Sequence, residues 1–182
     1  GVSFTDYTGL VTEVGNWLDR SDLTASIPGF IRLCESRLDR LLHVPAMETR
    51  VTLTTLTDQV GLPQDFKRML SIYIPGTPNR VLHSISANSI PQDYTGASGT
   101  PEAYAIIGPW LYLTPPPPPP VYESIYLPPP IDATVQVLAS DPLSLVMTYY
   151  AKLTPLSSTS NNWLMVRHPD AYFYGTLLAA EA

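Results

Sequence analysis

Apolar positions fall first at helical and then at strand spacing along this chain. From Ser3 to Asp19, Phe4, Tyr7, Leu10, Val11, Val14, Trp17 and Leu18 lie three and four apart on one stripe, which predicts a helix. Ser3 with Asp6 fits a capping-box-like start. After a polar link at Arg20–Ala25, Ser26 caps a second helix with Pro28 in its first turn. Its stripe is Ile27, Phe30, Ile31, Cys34, Leu38, Leu41 and Leu42. Two amphipathic helices joined by a short link predict an antiparallel hairpin over 1–46.

From Glu48 the period becomes two. Val51 and Leu53 mark one face of a half-buried strand, and Arg50, Thr52 and Thr54 mark the other. Further strands are predicted at Lys67–Ile74 and Arg80–Ile85 on either side of a Pro75–Pro78 turn. A short helix is expected within Ser86–Tyr94, then a loop to Pro101. Tyr104–Ile107 and Trp110–Leu113 form a tight hairpin about Gly108-Pro109. Leu145–Lys152 reads as a strand and Thr154–Asn162 as a loop. Helical spacing resumes at Trp163, with Pro169 and Asp170 suited to the first turn of a new helix. That helix is still apolar at Ala182, so the chain is expected either to end inside an element or to continue. The fold class this implies is α+β: a helical bundle built from both termini (1–46 and 154–182) with an antiparallel β-sheet inserted over 47–153.

Within the insertion, 114–142 breaks the pattern. Six consecutive prolines, Pro115–Pro120, and a second tract, Pro128–Pro130, flank the segment VYESIYL. A six-residue polyproline run spans about 19 Å and cannot pair within a sheet. The expectation is a protruding arm holding one short strand, with Thr134–Leu138 alternating after it. Pro115, Pro120, Tyr122, Ile125, Tyr126 and Pro128 are its candidate contact residues.

Charge narrows the function. Charged residues are 14% of the chain and the net charge is −6, against a usual charged share of about 25%. Sequence-independent grip on nucleic acid needs clustered Lys and Arg; here there are 10, with no run. Arg37 and Arg40 form at most a small basic ridge toward an acidic partner, and a solvated face with local ion pairs is the stronger reading. The single cysteine, Cys34, excludes an intrachain disulfide and multi-cysteine zinc sites, and it lies on an apolar stripe. His43, His83 and His168 fall in separate elements without metal-ligand spacing, and no nucleophile-elbow or phosphate-loop motif occurs. No catalytic residue, cofactor site or metal site is expected. The first twenty residues lack a signal-peptide pattern, and no apolar run reaches the ~18–20 residues of a membrane span, so no membrane partner is expected.

The segments YYAKLTPLS and NWLMVRHPDAYFYGTLLAA, the opening FTDYTGLVTEVGNWLDRSDLTASIPGFIRLCESRLDRLL, and the central VGLPQDFKRMLSIYIPGTPNRVL and SGTPEAYAIIGPWLYL resemble the tailed-bacteriophage head–tail adaptor, or connector, family. The likeness covers nearly the whole chain outside roughly 115–142, where the family's connection is short. It implies a structural virion protein assembled in the host cytoplasm. This protein would form a cyclic homo-oligomer, a dodecamer, with portal protein above it, tail or nozzle protein below it, and genomic DNA passing through unbound. An acidic wall that repels phosphate suits such a passage. The alternative from another class is a stand-alone protein-binding module that uses the proline-rich arm.

Overall fold

The computed structural model of the chain describes residues 4–90 and 98–181. The cap expected of Ser3, and the part of the expected Ser86–Tyr94 helix and following loop that falls in 91–97, lie outside the described residues. The chain divides into two compact units, one from Gly1–Glu48 with Ala151–Ala182 and one from Thr49–Tyr150.

The first unit holds α1 (Tyr7–Leu18), α2 (Ile27–Leu41), α3 (Trp163–Arg167) and α4 (Pro169–Ala180). Asp6 is the N-cap of α1, its Oδ1 accepting from Gly9 N at 2.7 Å. The entering chain folds Phe4 over that first turn so closely that a Cβ on Gly9 would lie 2.6 Å from the Phe4 Cβ. Asn162 caps α3 through Met165 N. His168 breaks the helical path (φ −139°, ψ 62°), and Pro169 restarts it as α4. The core joins Leu10, Val14, Ile27, Ile31 and Cys34 to Leu153, Leu156, Leu164, Met165, Tyr172, Phe173 and Leu177. Trp17 and Leu41, expected on the buried stripes, are exposed. Both sit in the last turn of their helix. Trp17 meets the core at an edge contact with Phe173, at 5.8 Å between ring centroids.

The second unit is built of strands. One sheet has the order β1 (Glu48–Thr55), β10 (Leu143–Ala151), β3 (Phe66–Ile74), β4 (Arg80–Val81). A second has the order β2 (Gln59–Gly61), β7 (Trp110–Thr114), β6 (Ala103–Ile107), β5 (His83–Ser84). β8 (Tyr122–Leu127) and β9 (Ala133–Leu138) form a third sheet alone. Period-two burial sets the inward positions: Leu145, Met147 and Tyr149 on β10, Ile72 on β3, Leu111 and Leu113 on β7. Thr55 turns the chain from β1 toward β2, its hydroxyl bonding Thr57 O and Gln59 O at 3.0 Å each.

The expected fold class is overturned. The chain is mostly β, with ten strands in three sheets among the described residues and only a few short helices; it is not a helical bundle from both termini. Two physical reasons stand out. Beside α4, the irregular segment 152–162 covers α2 in place of a further helix, with Leu153 and Leu156 contributing core side chains. In addition, the expected single strand at Arg80–Ile85 is divided between two sheets. Leu82 N donates to Ile72 O on one side, while His83 N donates to Glu102 O on the other. β4 is thus antiparallel to β3, and β5 runs parallel to β6.

Candidate interaction surface

The segment between β7 and β10 is where chemistry and exposure coincide. Pro115, Pro116, Pro117 and Pro120 are half-buried, leaving Pro118 and Pro119 exposed. Gly99 N donates to Pro116 O at 2.9 Å, which ties the start of the tract down. Pro117–Pro119 line a groove of about 590 Å³ with Thr55, Leu56 and Ile74. From Val121 onward the chain is exposed. Ala139 N donates to Val121 O and Val121 N to Ser140 Oγ, closing the root of the β8–β9 hairpin.

The register runs unbroken from Tyr122↔Leu138 to Leu127↔Ala133. Opposed residues share a face. One face is therefore Glu123, Ile125, Leu127, Ala133, Val135 and Val137, nearly all apolar. The other is Tyr122, Ser124, Tyr126, Thr134, Gln136 and Leu138, where Gln136 Nε2 donates to Ser124 Oγ at 2.6 Å. The Tyr126 hydroxyl donates to Asp132 at the turn, and that bond raises the phenol pKa. Every residue of both strands is exposed except the half-buried Leu127 and Ala133. Of the candidates named from sequence, Tyr122, Ile125 and Tyr126 lie together in β8 and Pro128 in the connecting turn. Pro115 and Pro120 belong to the half-buried tract. Arg37 and Arg40 are exposed on α2, in the other unit.

Sequence reading missed two features. VYESIYL and the alternating Thr134–Leu138 pair with each other; the signal was their equal period across a proline-rich turn. No Lys or Arg occurs between Arg80 and Lys152, while Asp93, Glu102, Glu123, Asp132 and Asp141 do.

The buried and half-buried titratable groups hold structure. Glu35 Oε1 accepts from Leu156 N at 2.7 Å and from the Tyr172 hydroxyl at 3.2 Å. Asn162 Nδ2 donates to Tyr172 Oη and to Thr154 O, both at 2.7 Å. Desolvation raises the Glu35 carboxyl above its ordinary value and pushes the Tyr172 phenol far up. Asp39 Oδ1 accepts from Leu153 N at 3.0 Å. These bonds fasten the irregular segment 152–162 to α2. Among the described residues, no three His, Cys, Asp or Glu side chains come together as a metal site. No helix among them is long and apolar enough to cross a membrane.

A family model described as SU10 adaptor protein matches residues 5–182. No curated protein matches the chain. The match takes in both units and the hairpin segment alike, and the chain belongs to the SU10 adaptor protein family, a family of phage head–tail adaptors.

Proposed function

We propose that this structural phage protein acts as one subunit of a closed ring, a dodecamer, that docks below the portal, receives the tail or nozzle, and leaves a channel for DNA. Such a ring is a virion component at the head–tail interface, assembled in the host cytoplasm. The observation that carries the reading is the apolar surface a lone chain leaves uncovered. Tyr122, Tyr126 and Ile131 on the hairpin, and Trp17, Tyr174 and Leu178 on the helical unit, are each more than half exposed. Where such side chains gather, as on the hairpin, they favour a protein contact. The charge pattern supports the channel. A 71-residue stretch with five carboxylates and no cation, from Val81 to Ala151, repels phosphate rather than holding it.

Electron microscopy of the purified chain tests this directly. The expected image is a closed ring of head-to-tail subunits around an open axis, and a self-complementary two-fold dimer would end the reading. In a filter assay the assembled protein is expected to retain duplex DNA only weakly even at low salt; tight, salt-sensitive retention would remove the channel. A stand-alone module presenting its prolines gains little support, because Pro115–Pro117 are half-buried against their own unit.

A further inference from the structure

The β8–β9 hairpin has bonding capacity that its own unit does not use. The outer edges of β8 and β9 pair with no strand among the described residues. Native edges are usually blunted by lysine, proline or a bulge. Here two strands of six residues run in register with no Lys, Arg or Pro inside either. On the apolar face, Ile125 is 44% exposed, Val135 37% and Val137 42%. A two-stranded hairpin standing alone is marginally stable in water, and further strands added at its edges stabilise it.

We propose that these strands come from further copies of this chain, with β8 of one copy pairing along β9 of the next. This rests on the ring reading above and names how its subunits join. Three observations favour this occupant and this direction. The strands are equal in length, so each added hairpin extends the sheet without a step. Glu123 is the only charged residue in β8 and β9 has none, so a β8-to-β9 ladder sets no like charges opposite one another. A β8-to-β8 ladder would instead bring two Glu123 carboxylates into one interface. The head-to-tail join is heterologous, and on closing it removes every open edge.

The edge has a definite donor set. Ala139 N bonds Val121 O, and hydrogen-bonded pairs alternate along an antiparallel ladder. Glu123, Ile125, Val135 and Val137 therefore bond across the hairpin, while Thr134 and Gln136 turn their N–H groups to the open side of β9. Proline at either position removes an outward donor and leaves the hairpin's own ladder intact.

The experiment compares the full-length chain with the Thr134→Pro/Gln136→Pro variant and with Val135→Lys/Val137→Lys. Sedimentation and single-particle mass are measured across a dilution series, with thermal unfolding as the folding control. Wild type is expected to assemble. Both variants are expected to unfold at the temperature of wild type diluted below assembly, and to assemble at least tenfold more weakly. If the proline variant assembles like wild type, strand pairing is overturned while the ring reading stands. If the lysine variant does so, the apolar face is not in the contact and the proposal fails as stated. A wild-type chain that stays monomeric at the top of the series overturns both readings.

Discussion

Gly175 on α4 faces Cys34 on α2 so closely that a Cβ added at Gly175 would lie 2.5 Å from the Cys34 sulfur. The two helices meet at a point where one residue must lack a side chain. Gly175→Ala alone is expected to destabilise the chain by about 1–3 kcal/mol through overpacking. The sign reverses with Cys34→Ala in place. The nearest neighbour is then the Cβ at position 34, at 3.8 Å, and Gly175→Ala should gain about 0.5–1 kcal/mol of helix propensity. Chemical denaturation of the four-member mutant cycle measures both signs.

Cys34 is itself expected to be inert. Its side chain is buried, and burial pushes the thiol up to about 11, with the neighbouring Thr176 hydroxyl pulling the other way. A thiol reagent at pH 8 should label the native chain only at the rate at which the helical unit opens. Prompt stoichiometric labelling of folded protein would contradict the packing described here.

Glu35 should make stability fall as pH rises. Its folded carboxyl is raised above 4.5 by desolvation, so the folded state holds the proton longer than the unfolded chain. The slope of unfolding free energy with pH is then negative across the window that opens at about pH 4.5. Glu35→Gln keeps an oxygen for Leu156 N and Tyr172 and removes the titration. Thermal unfolding from pH 4 to 7 should show wild type losing stability relative to this variant.

Tyr149 supplies a second test at the alkaline end. Burial first, and then its 2.8 Å hydrogen bond to Asp65 Oδ1, push the phenol up to about 12. The folded state again retains the proton, so this group's contribution is present below about pH 10 and is lost as pH rises toward 12. Tyr149→Phe should cost about 1–3 kcal/mol at neutral pH and flatten that alkaline decline.

Local periodicity was legible in the sequence wherever one chemistry ruled a segment. Val51 and Leu53 are half-buried between exposed neighbours, as period two requires, and Gly108, with φ +59°, makes the turn expected of it. What escaped depends on partners remote in sequence. Nothing within Arg80–Ile85 reveals that its first residues bond β3 and its last bond β6. Nothing around Leu153 and Leu156 reveals that an irregular segment can fill a core, because the bonds that permit it come from Glu35 and Asp39 on α2. Pro169 opens a new helix, as its place in the sequence suggests, but the short strands outnumber the helices, and no single strand reveals that balance. At the candidate surface, the proline tracts drew notice to the segment. Tyr122, Ile125 and Tyr126 were legible as exposed apolar residues between the tracts, but their pairing with Ala133–Leu138 is a relation between segments and not a property of either.

The hairpin's hydrogen bonds run almost wholly between its own two strands, and the core of its unit places no side chain there. Substitutions on its faces therefore change what it can touch while leaving folding of the rest nearly unaffected. On the proposed joint, mutational drift is screened by fit to a neighbour rather than by loss of the native state. A phage lineage can thus retune this joint in small steps, each paired with a matching change across the contact, without first having to rescue a damaged fold.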